Sequence, residues 1–343
     1  MAFWERQKRN RIVRKGFLIF IFVALTTLPL ISPRYISSYH IHILTECFIL
    51  GLFALGLNFL MGYAGIISFG HAMFFALGGY TTSIVLIKLG WPLTLGILIA
   101  LIFSALFGFV LGFFARQLKG VYVAMLTFAA AQMVYEILIS WDSFLGGTDG
   151  LLGIPEAKLV IAPHIAIDMA TPQRYYYFCL FVLIVSIYVK HRLLESSFGR
   201  VLVAIKENEL RVRFIGYPVN RYKMMAFLVS GLFSGLAGAL FASLDRFVSP
   251  QIGHWLLSGE VILMMLIGGM GTLLGPVIGA GFFVYLREFL IDYTDHWLLV
   301  LGVIFVLIVI FLPKGLYHPI SRLFGKENVI HIYQRRAKNG KRI

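Results

Sequence analysis

Residues 92–115 read PLTLGILIALIFSALFGFVLGFFA and carry no charged side chain. An α-helix needs about 20 apolar residues to cross the hydrocarbon core of a bilayer, so this stretch predicts a transmembrane helix. The whole chain follows the same pattern, because 59% of its 343 residues are hydrophobic, 13% are charged and its mean hydropathy is +0.85. A water-soluble fold cannot bury so much apolar surface, and we expect lipid to cover much of it.

Further apolar runs have the length of a membrane segment, and two of them are rich in glycine. The run 64–87 is long enough for one span. The run 256–290 has glycines and a proline between Gly268 and Pro276, which makes it either two short spans joined by a tight turn or a broken re-entrant segment. We therefore predict an all-α, polytopic transmembrane helical bundle of about 8–10 membrane segments. The candidate segments are 16–32, 43–62, 64–87, 92–115, 120–140, 175–190, 223–244, 256–290 and 297–312.

The distribution of charge predicts the orientation of the chain. The net charge is +14, and 24 of the 30 Lys and Arg residues fall in 1–15, 116–119, 190–223 and 313–343. Basic residues gathered in alternate loops follow the positive-inside rule, and they are not the footprint of a nucleic-acid partner. With these loops inside, both termini are cytoplasmic and the chain makes about ten crossings, or about eight plus a re-entrant hairpin.

This orientation divides the chain into three parts. A cytoplasmic basic N-terminus covers 1–15, a single transmembrane domain covers 16–312, and a cytoplasmic basic tail covers 313–343. Within the membrane domain, 141–174 forms a long extracytoplasmic loop and 191–222 forms a long cytoplasmic loop.

The cytoplasmic loop contains a predicted amphipathic helix. Val201, Ala204, Ile205 and Val212 share one face at helical spacing, and Gly216-Tyr217-Pro218 ends the segment. Glu207 and Glu209 lie among its basic residues. A mixed-charge helix of this kind suits insertion into a groove of another protein, whereas the plainer interpretation is a solvated basic loop that obeys the topology rule.

The glycine-rich run begins with GYAGIISFGHA at 62–72. Gly65 and Gly70 permit close approach of neighbouring backbones, which favours tight helix packing. Ser68 and His71 are three residues apart, so we predict that they share one helical face. Polar groups at membrane depth either seal a contact between helices or line a translocation path, and both interpretations stay open.

Two acidic residues, Glu136 and Glu260, each lie about one turn inside a predicted span near its outer end. Such carboxylates either line a path and relay protons, or they reach the interface and pair with a polar neighbour.

The extracytoplasmic loop carries Gly147-Thr148-Asp149-Gly150 within a turn-rich stretch. An ordinary Asx turn, in which Asp149 accepts a hydrogen bond from its own backbone, is one interpretation. A docking or gating loop at the outer mouth is the other.

Enzyme motifs are absent from the sequence. It contains no G-x-x-x-x-G-K-[ST], H-E-x-x-H or G-x-S-x-G, so we expect no catalytic residue, no metal site and no cofactor bound by this chain. The two cysteines, Cys47 and Cys179, both lie in apolar runs and indicate no disulfide framework.

Four blocks in order resemble the branched-chain amino acid ABC transporter permeases, the LivM-type membrane subunit. The blocks are GYAGIISFGHA at 62–72, GGTDGL at 146–151 with GIP at 153–155, FGRVLVAIKENE at 198–209 and GGMGTLLGP at 268–276. The resemblance covers most of the chain, and it implies a multi-pass protein of the bacterial inner membrane that imports branched-chain or other hydrophobic amino acids.

The resemblance also implies partners. These are a second related permease subunit, two ABC ATPase subunits that bind ATP and Mg²⁺, and an extracytoplasmic solute-binding protein that delivers the solute. By the same resemblance the segment 200–216 is a coupling helix that contacts the ATPase, and its candidate residues are Arg200, Ala204, Glu207, Asn208, Glu209 and Gly216.

Two other functions remain open. A permease of the same kind for urea or a short-chain amide is one. A stand-alone proton-coupled secondary transporter, with Glu136 and Glu260 as relay groups, is the other, although such a carrier needs no ATPase-binding helix.

Overall fold

The computed structural model describes residues 26, 27, 29, 38–156, 158–162, 165–312 and 315–318. The predicted basic N-terminus 1–15, almost all of the predicted span 16–32 and almost all of the tail 313–343 lie outside the described residues. Over the described part the chain is a helical bundle, as the sequence predicts. Its α-helices are α1 Ser38–Leu57, α2 Ala72–Ile87, α3 Leu93–Ala115, α4 Val121–Ser140, α5 Asp142–Leu145, α6 Pro172–Glu195, α7 Ser197–Glu207, α8 Glu209–Phe214, α9 Val219–Asp245, α10 Trp255–Gly268, α11 Gly275–Tyr293 and α12 Trp297–Phe311.

Five helical segments of the described chain are long and apolar enough to cross a membrane. Large apolar side chains cover their outer surface, as Ile102 and Phe114 do on α3, and lipid is the solvent that suits such a surface. The polytopic all-α class predicted from composition is confirmed. The five segments are Ser38–Tyr63, Leu93–Ala115, Val121–Ser140, Pro172–Glu195 and Val219–Asp245, and shorter apolar helices lie at Ala72–Ile87, Trp255–Gly268 and Trp297–Ile308.

The helix α9 lies at the centre of the bundle and packs against α1, α2 and α3. Small residues bring these backbones together. A methyl group on Gly78 would overlap the carbonyl oxygen of Gly235, and one on Gly238 would overlap that of Phe75. Because α9 rises about 1.5 Å per residue, its 27 residues extend roughly 40 Å and connect the two ends of the bundle.

The glycine-rich run 64–87 is not one continuous helix, and this corrects the prediction. Residues 64–70 are not helical, and α2 begins only at Ala72, whose backbone N–H donates to Ser258 Oγ at 2.8 Å. Gly65 has a φ of +72°, which disfavours any other residue there and interrupts a helix. Ser68 therefore does not share a helical face with His71, although the two side chains still meet.

The run 256–290 is broken at its glycines, as both interpretations of that run require. Residues 269–274 join α10 to α11, and Gly269 and Gly271 have φ values of +112° and +76°. A side chain at Gly279 would overlap the carbonyl of Met264, so α10 and α11 pack closely after the break.

The predicted extracytoplasmic loop has more structure than turns alone. The strand β1, Leu151–Leu152, pairs antiparallel with β4, Phe247–Val248, directly after α9. A second antiparallel pair joins β2, Lys158–Ala162, to β3, Ile165–Asp168. The β1–β4 pair therefore fixes the loop to the C-terminal end of α9.

Candidate functional site

The end of α1 changes from an α-helix to a π-helix over Asn58–Tyr63. A π-helical turn is rare and often marks a functional position. Asn58 is fully buried there, and its side chain joins α1 to the link between α10 and α11. Its Nδ2 donates to the Thr272 carbonyl at 2.7 Å, and its Oδ1 accepts from the Gly271 N–H at 2.8 Å. The last glycine block of the sequence, 268–276, thus meets the π-helix at one amide.

Two carbonyls in the last turn of α1 accept hydrogen bonds from other helices. Lys190 of α6 is fully buried and donates from Nζ to the Leu55 carbonyl at 3.1 Å. Ser230 of α9 donates to the Gly56 carbonyl at 2.5 Å. The predicted span 175–190 ends at Lys190, but α6 continues to Glu195, so Lys190 lies within the helix and inside the bundle.

A chain of hydrogen bonds runs from Ser68 through His71 to Ser230. His71 Nε2 lies 2.7 Å from Ser230 Oγ, and His71 Nδ1 lies 3.2 Å from Ser68 Oγ. Because the single Ser230 hydroxyl hydrogen is donated to Gly56, Ser230 must accept from His71 Nε2–H, and a neutral ring then accepts at Nδ1 from the Ser68 hydroxyl. Ser68 and His71 are both fully buried within the chain, which favours packing over contact with a solute.

The helix α7 reaches this region through Lys206. Its Nζ donates to the Gly62 carbonyl at 2.6 Å. Gly65 packs on the stem of the same lysine, because a Cβ there would lie 2.7 Å from Lys206 Cγ. Burial lowers the pKa of the Lys206 ammonium, and the nearby Glu207 carboxylate opposes that shift. We refer to Asn58, Gly62, Gly65, Lys206 and Gly271 as the inner junction.

The predicted amphipathic helix is two helices, α7 and α8, which meet at Asn208. The Asn208 backbone is extended, and its Oδ1 caps α8 by accepting the Arg211 N–H at 2.9 Å. The predicted apolar face is correct, since Ile205, Val212 and Val219 form one cluster. It is completed by Val201, Ala204 and Tyr222.

The two glutamates of this segment have different surroundings. Glu209 is held within the chain, since it accepts from Lys223 Nζ at 2.8 Å and from Arg213 Nη2 at 3.0 Å. Glu207 is exposed and makes no hydrogen bond or ion pair within the part of the chain that the structure describes. Arg200 donates to the Glu195 carbonyl at 2.9 Å, and Gly216, at a φ of +93°, ends the segment with open space around it.

Three large apolar side chains project from α8 and its end. Leu210 is 56% exposed, Ile215 is 68% exposed and Phe214 is 88% exposed. They follow the block 198–209 directly, and their exposure is typical of a contact surface for another protein. Sequence reasoning named the charged residues of this segment and missed these three.

Comparison with known proteins shows the family of this chain. The family described as the branched-chain amino acid transport system permease component matches residues 39–309. This chain belongs to that family. The permease is 30% identical to the high-affinity branched-chain amino acid transport system permease protein LivM of Escherichia coli K12, over 88% of this chain and 75% of the relative.

More distant relatives match over smaller parts of the chain. A probable branched-chain amino acid transport permease protein LivM of Methanocaldococcus jannaschii is 26% identical over 77% of this chain and 88% of its own length. The autoinducer 2 import system permease protein LsrC of Salmonella paratyphi B is 26% identical over 62% of each chain. No solved structure matches the permease. Its apolar helices and its relatives make it a multi-pass protein of the inner membrane.

The GGTDGL block of the permease forms a tight turn. Gly147–Asp149 is a short 3₁₀ turn between glycines of positive φ, and the Gly150 N–H donates to the Gly146 carbonyl at 3.1 Å. Thr148 and Asp149 are exposed. Asp149 makes no side-chain hydrogen bond within the described residues, so the predicted Asx turn is wrong and glycine conformation holds this turn instead.

The remaining predicted residues of the permease lie apart from one another. Gly70 presses against α4, because a methyl group there would overlap the Thr127 carbonyl. Glu136 is exposed on α4 and accepts from Gln132 at 3.2 Å. Glu260, in contrast, lines a cavity of about 270 Å³ together with Glu46 and Arg287. The two acids that sequence reasoning treated alike therefore differ in their surroundings.

Proposed function

We propose that this chain is the membrane-spanning permease subunit of an ABC importer for branched-chain or other hydrophobic amino acids. Its family and its relatives named as branched-chain amino acid permeases support the solute class. The observation that carries the proposal is the α7–α8 pair, which presents exposed apolar side chains and is tied to the bundle by Lys206 and Lys223.

In this proposal α8 is the contact with an ATPase subunit. Phe214 inserts into an apolar groove of the ATPase, and the exposed Glu207 pairs with a basic side chain beside that groove. The other residues give the segment its shape. Ala204 packs the pair against α9, and Arg200 fixes the start of α7. Asn208 sets the angle between α7 and α8, and Gly216 ends α8 before α9 begins.

Movement of the ATPase reaches the bundle through two ties. Glu209 transmits the movement to α9 through its ion pair with Lys223. Lys206 transmits it to the π-helix through its hydrogen bond to the Gly62 carbonyl. Ion pairs and closely packed glycines transmit a displacement because these contacts are rigid, whereas a flexible loop would absorb it. The inner junction then passes the displacement through Asn58 to the link between α10 and α11.

The full transporter in this proposal contains several chains. A second related permease subunit completes the membrane part, and two ABC ATPase subunits bind ATP and Mg²⁺ outside this chain. An extracytoplasmic solute-binding protein docks on the turn at Gly147–Asp149, whose exposed Thr148 and Asp149 point away from the bundle contacts.

Co-purification tests the ATPase contact. We expect Phe214→Ser to reduce the amount of ATPase that co-purifies with the tagged permease by about tenfold, because a central aromatic anchor is lost. Leu152→Ser is the matched control, since Leu152 is 70% exposed at the opposite end of α9. Equal co-purification with Phe214→Ser and the wild-type chain would refute the assignment of α8.

Uptake of L-leucine into proteoliposomes that contain the complete transporter tests the solute class. We expect uptake to require ATP and the binding protein and to persist when the proton gradient is collapsed. A stand-alone proton-coupled carrier, which the unpaired Glu260 carboxylate would favour, predicts the reverse. Uptake of urea or acetamide in place of leucine would instead select the permease for small amides.

A further inference from the structure

A cavity of about 270 Å³ lies between α1, α2, α9, α10 and α11, and it has room for a small solute rather than a single water molecule. One part of its wall is apolar and another is charged. The charged part is formed by Glu46, Glu260 and Arg287, with Gln251 and His254 beside them. The apolar part consists of Leu50, Phe75, Phe241, Ile252, Leu256 and Leu257.

Glu260 is the first unusual group of this cavity. Its carboxylate makes no hydrogen bond and no ion pair with any residue that the structure describes. A carboxylate in an apolar helix is costly without a partner. Glu260 is therefore set to receive a cation or a hydrogen-bond donor from a molecule that enters the cavity.

Arg287 is the second unusual group of the cavity. Its Nη2 donates to both oxygens of Glu46, at 2.8 and 3.0 Å, and to Glu288 at 3.0 Å. All of these bonds use one nitrogen, although a guanidinium has five donors in a planar fork. The hydrogens on Nη1 and Nε have no acceptor within the described residues, so the fork keeps donors for an anion while Glu46 and Glu288 hold it in place.

The apolar wall complements these charges. The rings of Phe75 and Phe241 lie 5.3 Å apart, and Leu50 and Ile252 extend the same surface. A cavity with free positive donors, a free carboxylate and an aliphatic and aromatic wall matches a molecule with the same three parts.

We propose that this cavity binds the solute as a zwitterion on its way through the permease. Arg287 donates to the carboxylate of an amino acid, Glu260 accepts from its ammonium group, and the branched apolar side chain lies on Phe75, Phe241 and Ile252. The assignment rests on the proposed function and names the residues that recognise the solute within the membrane domain.

The charges also give the cavity its selectivity. A ligand that lacks the ammonium group leaves Glu260 unpaired, and a site built to pair a polar group rejects a ligand that lacks it. A neutral molecule such as urea forms no ion pair with Arg287 or with Glu260. The cavity therefore favours an amino acid over a small amide.

Direct binding to the purified wild-type complex, in lipid nanodiscs and without the binding protein, tests this assignment. Three probes are titrated separately: L-leucine, isocaproate, which lacks the ammonium group, and isoamylamine, which lacks the carboxylate. We expect Glu260→Gln to weaken the binding of L-leucine by at least about tenfold and to leave the weaker binding of isocaproate unchanged.

Two further variants make the outcome decisive. Asp292→Asn removes an exposed carboxylate on α11 that does not line the cavity, and we expect it to bind L-leucine like the wild type. Leu50→Trp fills the cavity, and we expect it to lose all three probes while the complex elutes at the wild-type volume. Wild-type affinity for L-leucine in both Glu260→Gln and Leu50→Trp would overturn the assignment. Failure of the wild-type transporter to take up leucine would refute the proposed function instead.

Discussion

The inner junction and the cavity both lie along α1, about 18 Å apart at 1.5 Å per residue between Glu46 and Asn58, but they use their polar groups differently. At the junction Asn58 and Lys206 are both bonded to backbone atoms of distant segments. In the cavity, Glu260 and part of Arg287 have no partner within the described chain. Buried polar groups that make all their hydrogen bonds stabilise the packing of two segments. Polar groups without a partner are available to bind a ligand. Mutations should therefore harm folding at the first region and binding at the second.

The largest expected effect comes from Gly62→Ala at the junction. The added Cβ would overlap Asn58 Oδ1 and lie 2.8 Å from the Gly271 nitrogen. We expect little monodisperse protein in size-exclusion chromatography of a fluorescent fusion. Gly281→Ala on α11 is the control, because nothing lies within 4 Å of that position and alanine favours a helix by about 1 kcal/mol. A normal elution profile for Gly62→Ala would remove the distinction between the two regions.

Asn58→Leu should have the next largest effect. It leaves the Thr272 carbonyl and the Gly271 N–H without their partner, and each buried group left unpaired costs about 1–3 kcal/mol. We expect a clearly lower thermal unfolding midpoint. The same chemical change in the cavity, Gln251→Leu, should leave the midpoint unchanged, since Gln251 is exposed and makes no side-chain hydrogen bond within the described residues. Similar midpoints for the two variants would contradict the comparison.

Ser230→Ala should destabilise the protein less than Asn58→Leu. The hydroxyl accepts from His71 and donates to Gly56, so its loss leaves two buried groups that a water molecule is small enough to bridge. We expect a cost of about 1–3 kcal/mol, measured as a shift of the unfolding midpoint. Ser230→Thr, which keeps the hydroxyl, should recover part of the loss, and no difference between alanine and threonine would argue against the hydrogen-bond chain.

Among the variants of the inner junction, the smallest effect on stability should come from Lys206→Met. The methionine keeps most of the aliphatic stem that packs on Gly65, and the ammonium that is lost lies at the edge of the bundle. We expect less than about 1 kcal/mol of destabilisation by thermal unfolding, because the net worth of one such hydrogen bond is small. A large loss of stability would mean that Lys206 is part of the core and not a tie between two moving parts.

The sequence predicts one class of feature well and another poorly. Apolar runs give the helical membrane class and the break at Gly268–Gly275, because length and glycine content act locally. The pairing of Ser68 with His71 was also predicted, but on a helix that does not exist there. The start of α2 at Ala72 depends on contacts with Ser258 and Thr127, which are far away in the sequence.

The functional residues show the same limit. The resemblance of the block 198–209 to the family pointed to both Glu207 and Glu209. Only the fold shows that their surroundings differ, because Lys223, the partner of Glu209, is 14 residues further along the chain. Asn58 was detectable in principle as one polar residue at the end of an apolar run. The roles of Glu46, Arg287 and Lys190 were not detectable, since their partners come from helices more than 100 residues away.

The most direct test of the account is the amount of leucine moved per ATP hydrolysed by the complete transporter in proteoliposomes, with wild-type permease and with Lys206→Met. We expect the variant to keep its ATPase subunits and to hydrolyse ATP, while the leucine moved per ATP falls by about tenfold or more, because the tie to the inner junction is lost. An unchanged ratio in a variant that assembles normally would contradict the claim that α7 and α8 drive the bundle through this lysine.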